Sequence, residues 1–381
     1  MRILQVSDYF PDYGARIVDT VSRKLAFWGH EVLVLAGTAN QLGGYYSKGW
    51  VTLEPNLRLF RFGAFGVRGA GTFFSIPSPN LPALFSLVRK FNPDVANLHF
   101  APHLGNVLLA PFLRMEGIPI LFTLHGVSTG YSSLALRVSS TLINSLARLP
   151  IRLASQIIAV NDPVFRLAQS IYRVEHRKLR VIPNGIDVQT FRPISRFPRE
   201  FTRVGYCGRL SAAKNIDTVI RAIHLARVKY GLPLTGMIAG DGPARENLES
   251  LAMDLSVPVE FTGHLSTDEV AHFYNEIDCL AHPSLVEGLP QSILEAMSCE
   301  VPVLACRTGG VGDLIQDKVN GLVLNSGAVD ELATAILTLA RDEKLRKRIS
   351  MNGRMIVLKS YSDSVMCSRY LEVYENACHH N

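Results

Sequence analysis

Short apolar runs recur along the chain, and the stretches between them carry apolar residues at helical spacing. In the first half, Ile3–Val6, Glu31–Leu35, Leu57–Phe62, Val95–Leu98, Ile120–Leu124, Ile157–Val160 and Leu179–Ile182 read as strands, with helices expected near residues 15–28, 81–91, 104–116, 133–154 and 163–172. Such alternation predicts βαβ units and a parallel sheet. A turn-rich linker follows, Pro183-Asn184-Gly185-Ile186-Asp187 with Pro193 and Pro198 further on. The pattern then restarts with Arg203–Tyr206, Leu234–Ala239, Val259–Phe261, Cys279–His282, Val301–Ala305 and Gly321–Leu324 as strands. The economical architecture is α/β: two Rossmann-like doubly wound domains, residues 1–196 and 197–360, facing across a cleft, with ligands outside the carboxyl ends of the strands. Gly63, Gly66, Gly69 and Gly71, interleaved with Phe60, Phe62, Phe65 and Phe73, read as a mobile loop that touches membrane or acceptor.

Composition agrees with this outline and narrows it. A chain of 381 residues exceeds one ordinary core. Hydrophobic content of 48% and charged content of 19% describe a folded, soluble chain rather than a disordered or fibrous one. No apolar run has the length that spans a bilayer, and Met1–Asp8 turns polar too soon for a signal peptide. The six cysteines form no CxxC pair, so reduced thiols and a cytoplasmic location are expected.

Charge changes the picture more. Residues 1–196 hold 21 Lys+Arg against 10 Asp+Glu, and residues 197–381 hold 18 against 23. The basic excess peaks between residues 60 and 160, where Arg61, Arg68, Arg89, Lys90, Arg114, Arg137, Arg148 and Arg152 face only Asp94 and Glu116. An anionic partner such as an acidic lipid headgroup or a phosphorylated acceptor would suit it, as would plain solvation of a basic face. No nucleic-acid-binding motif accompanies the charge, so nucleic acid is not expected. The segment Tyr131–Ala154, apolar with three arginines and no acid, fits either an anionic membrane surface or a core-facing helix.

The candidate chemistry sits mostly in the second half. Glu287 lies in a Gly/Pro loop with Gly288, Leu289 and Pro290, and Glu295 follows eight residues later inside an apolar helix whose first turn is Gln291-Ser292. That turn aims backbone N–H groups and a positive dipole end at whatever precedes the helix. Gly208–Asn215 follows a strand and carries Arg209 and Lys214; two cations at this spacing can straddle a diphosphate or simply face solvent. Gly240-Asp241-Gly242-Pro243 ends another strand, where its glycines allow close approach of a ligand or make an ordinary β-to-α turn. Gly309-Gly310 carries the same two readings. In the first half, His125 leaves a strand tip beside Gly126, placed to bond a substrate hydroxyl or a backbone group, and His99 and His103 surround another strand end. Gly14 follows the first strand, where it would let an acceptor or a donor phosphate approach the amino end of the next helix. No HExxH, paired-Cys or EF-hand pattern occurs, so no metal ligands are expected.

Taken together these stretches resemble the retaining nucleotide-sugar glycosyltransferases of family 4, with the two-Rossmann GT-B fold. The likeness covers Gly14, Gly29-His30-Glu31-Val32, His125-Gly126, Asn184–Asp187 with Phe191 and Pro193, Gly208-Arg209 with Lys214, Gly240–Pro243, and the Glu287/Glu295 motif. The resemblance implies that Arg209 and Lys214 hold the donor diphosphate, Glu295 contacts the ribose, Glu287 contacts the transferred sugar, and His125 lies near that sugar's hydroxyls or the reacting centre. It implies an acceptor-binding first domain, a donor-binding second domain, and a final helix, about 361–381, that crosses back onto the first. The expected activity is transfer from a UDP- or GDP-sugar to a hydroxyl of a glycan or lipid-linked acceptor, in cell-surface polysaccharide, glycolipid or lipid-linked glycan synthesis, with peripheral contact to the inner face of the membrane. The nucleotide sugar is a co-substrate, and no cofactor or strictly required metal is implied. Alternatives are a nucleotide-sugar epimerase of the same fold and a non-catalytic nucleotide-sugar-binding protein. Ala15 replaces the family's second glycine after Gly14, Glu300 stands where glycine is common, and Asp313 where glutamate is common.

Overall fold

The computed structural model describes residues 1–7, 10, 16–38, 46–69, 72–77, 81–99, 104–125, 144–145, 147–194, 201–285, 287, 289–325 and 328–379. Gly14, Gly126, Gly288 and His103, singled out from the sequence, lie outside them, as does most of Tyr131–Ala154. The chain divides into two compact units, Met1–Asn184 with Asp363–Asn381, and Gly185–Ser362. The division falls before residue 196 because the linker is itself core: Ile186 and Phe191 are buried in the second unit's apolar cluster.

The first unit carries strands β1 (Arg2–Ser7), β2 (Glu31–Gly37), β3 (Gly49–Glu54), β4 (Leu57–Phe62), β7 (Val95–His99), β8 (Ile120–Leu124), β9 (Gln156–Ala159) and β10 (Leu179–Val181) in one sheet, ordered β10-β9-β8-β7-β1-β2-β4-β3. All neighbours are parallel except β3, an antiparallel edge on β4. Its sequence, Gly-Trp-Val-Thr-Leu-Glu, has one half-exposed face, so it lacked the continuous apolar run that marked the buried strands. Two-residue periodicity sorts the strand side chains into opposite faces: Leu4, Leu33 and Leu35 enter one core, and Ile3, Val32 and Val34 the other. That second core is closed by the final helix, Asp363–His379, through Met366, Cys367, Tyr370 and Tyr374.

The glycine- and phenylalanine-rich stretch is a hairpin rather than a loop. β5 (Ala64–Gly69) and β6 (Thr72–Pro77) pair antiparallel in a two-stranded sheet of their own, with Phe65 opposite Ile76 and Val67 opposite Phe74. Large residues at alternate positions satisfy the strand period, and the high glycine count hid it.

The second unit is a six-stranded, wholly parallel sheet: β11 (Arg203–Cys207), β12 (Thr235–Ala239), β13 (Val259–Gly263), β14 (Cys279–His282), β15 (Val303–Cys306) and β16 (Leu322–Leu324), ordered β13-β12-β11-β14-β15-β16. Strand order grows outward from β11 in one direction, then reverses to β14 on its other side. Ligands of open α/β sheets bind outside the carboxyl ends at such a reversal. None of the six cysteines is in a disulfide.

Candidate functional site

At the carboxyl ends of β11 and β14 the structure brings together Lys214 and Glu287. The Lys214 ammonium donates to Glu287 Oε1 at 2.6 Å, and His282 Nε2 donates to the same oxygen at 2.8 Å. His282 is the last residue of β14 and Glu287 lies in the loop that follows; both side chains are nearly buried, at 4% and 9% exposure. Burial pulls the Glu287 carboxyl upward, but the hydrogen bonds from His282 and Lys214 more than reverse it and hold it at about 2. Glu287 is therefore a fixed carboxylate at neutral pH rather than a proton donor. His282 was missed from the sequence, although it ends its strand as His125 follows its own. Tyr206, fully buried, stacks on its imidazole with ring centroids 6.3 Å apart.

The loops that carry the cations are built on glycine. Gly208, Gly240 and Gly242 all have positive φ, at 151°, 126° and 157°. A Cβ on Gly240 would lie 2.0 Å from the Gly208 carbonyl oxygen, and one on Gly242 would lie 2.3 Å from that of Leu210. Gly208 N–H donates to the Ala239 carbonyl and Leu210 N–H to that of Asp241. These glycines serve first to let two loops interlock, a close approach of backbone to backbone. Asp241 accepts from Gly242 N–H and pairs with Arg245, and Pro243 enters the turn before helix Arg245–Asp254. Arg209 is exposed, and its guanidinium makes no hydrogen bond or ion pair among the described residues.

Leu289 packs against the second unit's core and buried Pro290 occupies the N-cap of helix Gln291–Ser298, with no side-chain cap. Glu295 lies on that helix at 6% exposure and accepts from the buried Tyr274 hydroxyl at 3.0 Å. It is bonded apart from the Lys214/Glu287 pair. Glu300 sits at φ 57°, just past the helix, where Val301 N–H reaches the Ala296 carbonyl and Glu300 N–H that of Met297. That is a Schellman ending, whose left-handed position explains why glycine is common there.

His125 belongs to a different cluster, in the first unit at the ends of β7 and β8. Its Nε2 lies 3.2 Å from Nδ1 of the buried His99, whose Nε2 lies 2.7 Å from Gln5 Oε1. Asn97 and Gln5 both donate to the Tyr374 hydroxyl, and Thr123 donates to Asn97. Burial lowers the His125 imidazole to about 4, and burial with the neighbouring His125 lowers His99 well below its ordinary value, so both rings are neutral at pH 7. The network crosses β1, β7, β8 and the final helix, with its centre at the first sheet's own reversal between β1 and β7.

Residues 14–190 match the sequence family described as Glycosyltransferase Family 4, and residues 187–355 match Glycosyl transferases group 1. The chain belongs to the group 1 and family 4 glycosyltransferases. Among its relatives, the sulfoquinovosyl transferase of Arabidopsis thaliana is 27% identical over 72% of this chain and 55% of its own length, so the chain spans about half of that protein. A GDP-mannose-dependent alpha-(1-6)-phosphatidylinositol monomannoside mannosyltransferase of Mycobacterium tuberculosis is 29% identical over 68% of this chain and 71% of its own. Among solved structures, Anabaena HepE in complex with UDP superposes with a TM-score of 0.75 at 20% identity, covering 99% of this chain and 100% of that one. That likeness carries the GT-B fold to this glycosyltransferase. Among the described residues, no helix is long and apolar enough to cross a membrane.

Proposed function

We propose that this glycosyltransferase moves a sugar from a UDP- or GDP-sugar to a hydroxyl of a glycan or lipid-linked acceptor, keeping the anomeric configuration. The observation that supports it most directly is the Lys214–Glu287–His282 assembly at the strand-order reversal of the second sheet. In this reading the second unit binds the donor and the first the acceptor. Arg209, with no ion pair among the described residues, and Lys214 hold the diphosphate; Gly208 and Gly240–Pro243 shape the loops beside it. Glu295 bonds the ribose. The carboxylate of Glu287 bonds the transferred sugar and faces the positive charge that grows at its anomeric carbon. His125, neutral, meets the sugar's hydroxyls as a hydrogen-bond partner rather than as a cation.

The barrier is departure of a nucleoside diphosphate, and fixed cations at the developing charge lower it without reorganising; losing one such contact costs roughly 10²–10³ in rate. The relatives support both nucleotide choices: the mannosyltransferase is GDP-mannose-dependent and acts on a phosphatidylinositol monomannoside, and HepE forms a complex with UDP. The deciding experiment is thermal-shift titration with UDP, GDP, ADP and their common sugars, with and without Mg²⁺. Selective stabilisation by one nucleotide, lost in Lys214→Ala, would establish the donor site and its base. No shift with any nucleotide at millimolar concentration would instead favour a scaffold role.

A further inference from the structure

The amino-terminal edge of the first sheet holds a second feature, remote from His125. There a cavity of about 720 Å³ opens where β9 and β10 begin, beside Val373, Asn376 and Ala377 of the final helix. Arg114 reaches it from the last turn of helix Leu104–Met115, Arg152 from the helical residues 147–153, Arg177 and Lys178 from the turn before β10, and Arg180 from β10 itself. Among the described residues, not one Asp or Glu lines it.

The pairing of these cations is incomplete in an informative way. Arg114 and Arg152 make no hydrogen bond or ion pair among the described residues. Lys178 donates to the Ala154 carbonyl at 3.3 Å, and Arg180 to the carbonyls of Arg177 and Leu179 at 2.9 and 3.0 Å. Those contacts pin two head groups in place without neutralising them. Among the described residues, Glu175 pairs with Arg177 on the exposed side, and its charge also acts on Lys178. Four of the five head groups are exposed, so water screens part of their repulsion, and among the described residues the lining holds no counter-charge.

We propose that this cavity is an anion site for a phosphate-bearing group, distinct from the donor site, with Arg114 and Arg152 as its open forks and Lys178 and Arg180 as its fixed charges. Guanidinium groups bond phosphate through paired N–H groups, a geometry that carbonyls of the fold do not use up at Arg114 and Arg152. The volume exceeds the need of one phosphate and suits a diphosphate, a phosphorylated sugar or a lipid headgroup. A five-residue strand separates this edge from the end that carries His125, on the order of 16 Å, so the occupant does not compete with the polar cluster there. The inference stands apart from the proposed reaction: it needs neither the donor nor Glu287.

The test uses the full chain with UDP or GDP at saturation to fill the donor site. Inorganic pyrophosphate is titrated by calorimetry, and sedimentation is measured with vesicles of phosphatidylcholine alone or mixed with phosphatidylglycerol. Binding of pyrophosphate or of the anionic vesicles, weakened at least tenfold in R114Q/R152Q, supports the site; which probe binds tells whether the phosphate is soluble or at a membrane. The R180Q variant should weaken binding too, while the circular dichroism spectrum and thermal midpoint of both variants stay at the wild-type values as evidence of folding. Equal binding by wild type and R114Q/R152Q, or no binding of either probe, overturns it.

Discussion

At the scale of single residues, Glu287 shows how a carboxylate is assigned a role by its neighbours. Desolvation alone would raise its pKa; two donors on one oxygen hold it at about 2. The stability it contributes is present above its unfolded value of 4.5 and is lost as pH falls toward about 2. Glu287→Gln should therefore destabilise the second unit by about 1–3 kcal/mol at neutral pH, the worth of charge-assisted hydrogen bonds. The difference should shrink through that window, which urea unfolding at stepped pH would reveal. A difference independent of pH would mean that the carboxylate is not held ionised by this pair. Lys214→Ala should also drop kcat/KM by roughly 10²–10³ with the fold intact; unchanged kcat/KM would remove Lys214 from the phosphate role. His282 and Tyr274 were invisible to sequence reasoning because each acts only through a partner brought close by folding.

At the scale of elements, the two glycine loops of the second unit behave as one interlocked piece. Gly240→Ala would place a methyl on the Gly208 carbonyl at a φ that disfavours it, and should cost about 3 kcal/mol or more from strain and overlap together. Thermal unfolding measures it, and a nearly neutral result would contradict the interlock. Glu300 offers the opposite experiment. Glycine there relieves the left-handed strain, gaining roughly 1 kcal/mol, and forfeits a half-exposed 3.7 Å pair with Arg354 worth up to about 1 kcal/mol. Glu300→Gly should thus be neutral or slightly stabilising by calorimetry; marked destabilisation would assign the pair more weight than its geometry suggests. Most strands were legible from apolar runs because parallel strands are buried on both faces. β3 and the β5–β6 hairpin were not, since an edge strand and a glycine-rich ribbon lack that mark.

Across the whole molecule, the two units should respond to acid in different windows. His99, buried, and His125, half-buried, are neutral in the first unit, while an unfolded histidine takes up a proton near pH 6.5. Between about 6.5 and 4 the unfolded state binds more protons, so these rings make the first unit less stable as pH falls. Glu287 acts on the second unit only below about 4.5. Hydrogen exchange at pH 7 and pH 5 should show weakened protection in β7 and β8 with β11 and β14 little changed. Equal loss in both units would argue that the buried histidines do not govern acid sensitivity. The uneven charge of the sequence likewise acquires a place: Arg114 and Arg152, from the basic stretch, meet Arg177, Lys178 and Arg180 around one cavity.

By itself the sequence determined the alternation of strands and helices, the two restarting sheets, and the loops that carry Arg209, Lys214 and Glu287. Those follow from local periodicity, turn chemistry and burial, which are written in neighbouring residues. Only the tertiary structure decided which loops meet. Lys214 and Glu287 lie 73 residues apart, and His99 reaches Gln5 across 94. Strand order places the first pair side by side, and no local pattern encodes strand order. It also decided what the glycines are for, because close approach of Gly240 to Gly208 exists only once β11 and β12 are paired.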